Sequence, residues 1–217
     1  MGEISPSYFC EAGVPERIHN YAPDAKILVS FRDPVQRALS NHRHEVRVGH
    51  FTGADLTFEA GLKNNPMYVE QGRYATHLER WLEYFPREQI LVVLQEDIAT
   101  APLAVAREVC RFVGVDEDYE PQGLTKKFNR SYANRSQYVA GFKDRLYALT
   151  RLPGVSWLWS LASTLGVRSL YRRFNTVPSD VAIPDPDDRT LAELRKHFHP
   201  EVKRLSNLLN RDLGSWG

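Results

Sequence analysis

Lys26-Ile27-Leu28-Val29-Ser30-Phe31-Arg32-Asp33-Pro34-Val35-Gln36-Arg37-Ala38-Leu39-Ser40 is the stretch on which the reading of the fold turns. Ile27, Leu28 and Val29, with Phe31, make a nearly continuous apolar run, as in a parallel-sheet strand covered on both faces. A corner, Arg32-Asp33-Pro34, follows at once. Asp33 suits an N-cap, Pro34 the first helical position and Gln36 the third, so a helix opens directly behind the strand. Arg32 thereby stands at a helix N-terminus, where free N–H groups and the dipole favour an anion. Ser40, about two turns on, shares a helix face with Asp33 and Arg37. In one reading, the Arg32 guanidinium and the Ser40 hydroxyl converge on a single phosphate. In the other, the commoner fate of such corners, Arg32 pairs with a nearby carboxylate and Ser40 is an ordinary helix residue.

The flanking sequence repeats the strand-and-helix alternation. Pro15 to Tyr21 reads as a short helix, and Gly49 to Pro66 as loop with one helical turn around Phe58 to Leu62. Tyr74, Leu78, Trp81, Leu82 and Phe85 line one face of a helix that Pro86 stops. Gln89 to Leu94 is a second buried strand, with Glu96 and Asp97 at its C-terminal end. That is where α/β enzymes place ligand groups, although helix capping explains the pair equally well. A helix from Pro102 to Phe112 closes on Gly114. This order is that of an α/β protein with a parallel sheet. Residues 115–140 are polar and irregular. The remainder reads as helical, with Trp157, Leu158, Leu161 and Leu165 on one face and two last helices separated by a break at Pro200. No repeat or interdomain linker divides residues 1–217, which read as one domain.

Composition narrows the class. The 217 residues carry a net charge of +1, so nothing argues for a nucleic-acid or membrane-binding surface, and any anion site must be local. Only seven of the 28 basic side chains are lysine. Arginine suits bidentate recognition of phosphate and sulfate, but genome composition produces the same bias. Cys10 and Cys110 have no metal-ligand spacing and are too sparse for a disulfide scaffold, which points to a reducing, cytoplasmic setting. Met1-Gly2-Glu3-Ile4 lacks the basic region and apolar run of a signal peptide, and no stretch is apolar and long enough to span a bilayer. His42 and His44, after Ser40, are candidate bases, against the commoner reading of solvated histidines on a helix surface. His50, His197 and His199 give no zinc spacing, so no metal is expected.

Several blocks together resemble the sulfotransferases that use 3′-phosphoadenosine-5′-phosphosulfate (PAPS), in particular bacterial and heparan-sulfate-type members. Gly2 to Phe9 is similar to the family's segment before its central strand. Val14-Pro15-Glu16-Arg17-Ile18 and then Lys26 through Ser40 resemble its 3′-phosphate-binding block. Gly72 to Leu82, with Tyr84-Phe85-Pro86 and Glu96-Asp97, resembles the middle of heparan-sulfate-type members, and Arg211-Asp212-Leu213 with Trp216 the end of many bacterial ones. The resemblance implies a P-loop nucleotide-kinase-like α/β sandwich with a helical C-terminal part. It also implies transfer of a sulfuryl group from PAPS to a hydroxyl or amine, with carbohydrate leading among acceptors. Arg32 and Ser40 fall where the family grips the 3′-phosphate. Arg130 and Arg135, in the polar loop after Phe128, are further candidates for that phosphate or for an anionic acceptor, against the alternative of a solvated loop.

One family feature has no counterpart. The Gly-rich, lysine-bearing turn that cradles the 5′-phosphosulfate with backbone N–H groups is not found, and the region that supplies the usual catalytic base should lie with it. The chain is therefore expected to lack the first strand, the phosphate loop and the first helix, and the catalytic residue is unassigned. An enzyme without its N-terminal part is the leading expectation. The alternative is a non-catalytic remnant acting as a nucleotide-binding or interaction module.

Overall fold

The computed structural model of the chain describes residues 2–5, 7–51, 53–119, 123–124, 132–134, 176–178 and 183–216. Strand β1 (Ile27–Phe31) pairs in parallel with β2 (Ile90–Leu94), Ile27 standing opposite Ile90 and Phe31 opposite Leu94. Parallel strands require a crossover, and helical segments fill the interval: α2 (Pro34–Val48), α3 (Phe58–Asn64), α4 (Met67–Glu70) and α5 (Tyr74–Leu82). A short α1 (Val14–Tyr21) precedes β1, and α6 (Gln95–Thr100) and α7 (Pro102–Val113) follow β2. Tyr132–Asn134 (β3) pairs antiparallel with Thr176–Pro178 (β4), and α8 (Asp188–Leu209) runs near the C-terminus. The helical face expected at Trp157 to Leu165 lies outside the described residues.

The chain divides into two compact units, one of residues 1–38, 65–128 and 187–217, the other of 39–64 and 129–186. The first holds the parallel pair. β1 departs from the expected two-sided burial: Phe31 is 2% exposed, but Leu28 is 44% exposed and Ser30 is also exposed. Alternate residues of a strand point to opposite faces, so Leu28 and Ser30 share the side left open. The start of β1 is fastened to α7, because Lys26 Nζ donates to the Phe112 carbonyl at 2.6 Å, where a cation complements the helix C-terminus. Gly114 ends α7 in the left-handed region, φ 84°, as the sequence predicts.

Helix α8 corrects the expected break at Pro200. The proline lies inside one continuous 22-residue helix. It deprives the Lys196 carbonyl of its usual N–H partner, but Phe198 and Val202 on either side of it are both buried, and α8 packs along α5. Tertiary packing thus holds in line what the local rule would interrupt. Glu201, 9% exposed, accepts from the Thr76 backbone N–H at 3.1 Å and the Thr76 hydroxyl at 2.7 Å. Its carboxylate caps the N-terminus of α5, whose own Arg73 supplies no side-chain cap. The C-terminus is held by the strand end. Arg211 pairs with Asp97, and the Trp216 indole N–H donates to Glu96 at 3.1 Å. Glu96 and Asp97 are therefore structural ties among the described residues.

In the second unit, Phe58 and Val46 are buried. His42, expected on a solvated helix surface, is instead 1% exposed, its Nε2 3.0 Å from the Leu56 carbonyl and its ring near Phe51 and Phe58. Burial lowers its pKa, so the neutral ring is favoured.

Candidate functional site

The corner behind β1 forms as its sequence dictates. Asp33 Oδ1 accepts from the backbone N–H groups of Val35 at 2.7 Å and Gln36 at 3.0 Å, and Pro34 begins α2. This N-cap has a consequence that the local sequence does not announce. The first N–H groups of α2 are occupied by a carboxylate, so they are not offered to a ligand, and anion recognition falls to side chains. With Asp33 committed to the helix, Arg32 is left half-exposed and makes no side-chain hydrogen bond or ion pair among the described residues. The carboxylate pairing that offered the simpler account of Arg32 is not formed among the described residues.

Three aromatic contacts fix the backbone beneath it. The Tyr74 ring stacks on Phe31 with centroids 4.3 Å apart and planes at 17°. Phe9 lies 5.2 Å from Phe31 and stacks on Trp81 at 6.2 Å, while the Trp81 indole N–H donates to the Phe9 carbonyl at 3.0 Å. The segment before α1 and the start of α5 thus brace one strand end. Tyr74 is core, 5% exposed; burial pushes its hydroxyl up to about 12, with the Arg37 charge and the Arg32 backbone pulling the other way.

Gly72 completes the brace. A Cβ there would stand 2.6 Å from two ring carbons of Phe198 and 3.2 Å from Pro34 Cβ. Glycine lets α8, the α4–α5 turn and the first residue of α2 meet at one point. Arg37, one turn into α2, ties the same segments: its guanidinium donates to Gln71 Oε1 at 2.9 Å and to the Tyr68 carbonyl. The sequence places Arg37 on the helix face without giving it a role, since partners 31 and 34 residues away leave no local pattern.

Of the other candidate ligands, Ser40 alone falls among the described residues. Ser40 is half-buried on α2, in the part of that helix that belongs to the second unit. Arg130 and Arg135 lie outside the described residues. Among the described residues no group of three or more histidine, cysteine or acidic side chains is arranged to hold a metal, and no described helix is long and apolar enough to cross a membrane. What the corner offers chemically is a half-exposed guanidinium, without a side-chain partner among the described residues, on a braced backbone suited to grip a phosphate or sulfate oxyanion.

A family model described as a sulfotransferase domain matches residues 13–139, which include this corner and most of its brace. The chain belongs to the sulfotransferase family. Heparan sulfate glucosamine 3-O-sulfotransferase 6 of Mus musculus is 36% identical over 120 residues, covering 52% of this chain and 34% of that protein. Heparan sulfate glucosamine 3-O-sulfotransferase 5 of Homo sapiens is 28% identical over 226 residues, covering 97% of this chain and 55% of that protein. A crystal structure of a sulfotransferase from Alicyclobacillus acidocaldarius superposes with a TM-score of 0.61 at 26% identity, over 96% of this chain and 64% of that one. The chain thus spans between about a third and just over half the length of these curated relatives. Helices with a parallel strand pair agree with the α/β class expected from sequence.

Proposed function

We propose that this sulfotransferase-family chain takes part in sulfuryl transfer from PAPS, with Arg32 gripping the 3′-phosphate of the donor. The observation that carries the reading is the state of Arg32: half-exposed and without a protein partner among the described residues, while Asp33 beside it is committed to capping α2. An arginine held this way can give both N–H groups of its fork to a phosphate. Ser40, Arg130 and Arg135 are proposed as further ligands on the family resemblance alone. The P-loop-like sandwich belongs to the same proposal, and the 5′-phosphosulfate end of the donor is assigned to no residue of this chain.

In the reaction proposed, an acceptor oxygen or nitrogen attacks the sulfur as the bond to the 5′-phosphate oxygen breaks. A sulfate ester or sulfamate and adenosine 3′,5′-bisphosphate result, and the acceptor proton passes to a base. As with phosphoryl transfer, positioning and anion stabilisation carry most of this chemistry. A carbohydrate hydroxyl or amine is the favoured acceptor, supported by relatives named as heparan sulfate glucosamine sulfotransferases. The setting proposed is cytoplasmic, and the reading calls for no metal.

Isothermal calorimetry tests the donor assignment. Adenosine 3′,5′-bisphosphate is expected to bind at least 10-fold more tightly than adenosine 5′-monophosphate, and Arg32→Ala to abolish the preference. Equal affinity for the two nucleotides, or an Arg32→Ala variant that keeps the preference, refutes it. Incubation with PAPS and glucosamine-containing oligosaccharides then separates the two functional classes. Sulfated product supports an enzyme, and tight binding without product supports a nucleotide-binding module.

A further inference from the structure

Arg37 is a half-buried cation with an unusual set of partners. Its guanidinium donates to an amide oxygen, Gln71 Oε1 at 2.9 Å, and to a backbone carbonyl, that of Tyr68; its Nε is buried with no partner. No carboxylate among the described residues forms an ion pair with it, whereas Arg73, Arg111, Arg189, Arg204 and Arg211 all have one. Charges withdrawn from water are ordinarily paired, because desolvating an ion without a counter-charge is unfavourable. Burial accordingly lowers its pKa, and the nearby Arg32 charge acts in the same direction. Arginine keeps its proton even so at neutral pH. The two guanidinia also act together on the Tyr74 phenol. Two like charges that repel each other therefore stand at one braced corner, a setting that favours a bound dianion.

We propose that Arg37 is a positioning residue for the donor phosphate: it locks the first turn of α2 onto the Tyr68–Gln71 segment and adds, near Arg32, a positive charge that no carboxylate among the described residues pairs. The inference rests on the assignment of the 3′-phosphate to Arg32. Arg37 itself touches only protein, so its effect on the phosphate passes through backbone placement and through field. The field component distinguishes it from an arginine that merely supports the fold, since a lysine restores charge without restoring the two directed hydrogen bonds.

The test measures adenosine 3′,5′-bisphosphate and uncharged adenosine by calorimetry, at low and high salt, against the full chain and its Arg37→Met, Arg37→Gln, Arg37→Lys and Arg32→Ala variants. Folding of each variant is followed separately by urea unfolding without nucleotide. Arg37→Met is expected to lose about 10-fold in bisphosphate affinity, equal to about 1.4 kcal/mol, with adenosine affinity unchanged and the loss smaller in high salt. Arg37→Lys is expected to regain most of that affinity while remaining less stable than the parent. Should Arg37→Met fail to fold, the comparison of Arg37→Gln with Arg37→Lys decides in its place. Equal affinity losses for lysine and the neutral variant, equal losses for adenosine and the bisphosphate, or parental affinity in the neutral variant overturn the proposal. If Arg32→Ala binds the bisphosphate as the parent does, the phosphate assignment itself fails, whatever Arg37 shows.

Discussion

Replacing Gly72 by alanine tests the brace with a single methyl group. The added Cβ would meet two ring carbons of Phe198 at 2.6 Å and Pro34 Cβ at 3.2 Å. Contact at 2.6 Å is about 1 Å inside the usual carbon–carbon separation of about 3.5 Å or more. The ring cannot swing into solvent, because Phe198 is fully buried. Nor can Pro34 yield easily, being the buried first residue of α2. Overpacking of this kind costs about 1–3 kcal/mol, and two rigid neighbours place Gly72→Ala near the middle, about 2 kcal/mol. For a chain of this size that is a fall in melting temperature of about 4–8 °C. Urea denaturation followed by far-UV circular dichroism reads the cost. The double variant Gly72→Ala with Phe198→Leu identifies its source: removing the ring should recover about 1 kcal/mol or more as coupling between the two sites. A Gly72→Ala variant within about 0.5 kcal/mol of the parent, the level of an ordinary surface change, would refute the packing argument, as would strict additivity in the double variant.

Three other perturbations read separate parts of the corner. Asp33→Ala removes the acceptor for the Val35 and Gln36 N–H groups and is expected to cost about 1–2 kcal/mol in unfolding, with Asp33→Ser recovering most of it. Tyr74, whose hydroxyl is raised from 10.0 to about 12 in the fold, contributes stability that is fully present below pH 10 and lost as pH rises through about 12. Its loss over that window is on the order of 2–3 kcal/mol. Stability measured between pH 9 and pH 11 should therefore fall less steeply in Tyr74→Phe, and identical slopes would contradict the burial of that hydroxyl. Asp97 is held below its usual value by the Arg211 hydrogen bond, so the pair supports the fold above pH 3.8 and fades as pH falls through the lowered value. Both partners are partly exposed, and Arg211→Ala should cost no more than about 1 kcal/mol while altering Trp216 fluorescence through loss of the neighbouring Glu96 contact.

The features legible in sequence are those written locally. Asp33, Pro34 and Gly114 announce an N-cap, a first helical residue and a C-cap within one or two positions, and the structure has all three. The periodicity of Tyr74, Leu78 and Trp81 likewise marks a buried face that exists. Local rules failed where distant chain decided the outcome. Pro200 reads as a break, but burial of Phe198 and Val202 against α5 keeps the helix whole. Leu28 reads as core, yet its side of the strand is open at 44% exposure. His42 reads as solvated and is enclosed by Phe51 and Phe58. Glu201 and Thr76 are 125 residues apart, so a cap supplied across helices leaves no spacing to find. At the site, the sequence marks Arg32 as a candidate anion ligand by type and place, and Asp33 as the N-cap beside it. What local sequence leaves open is whether a distant carboxylate pairs with Arg32, and among the described residues none does.

Arg32 is proposed to hold the 3′-phosphate of the donor nucleotide. Phosphorus-31 magnetic resonance of adenosine 3′,5′-bisphosphate reports on its two phosphates separately. On addition of the protein the 3′ resonance is predicted to shift and its titration to move to lower pH, as expected for a dianion held by a guanidinium. With Arg32→Ala the 3′ resonance should stay at its free position. A shift confined to the 5′ resonance, or a 3′ shift that survives in Arg32→Ala, would contradict the account.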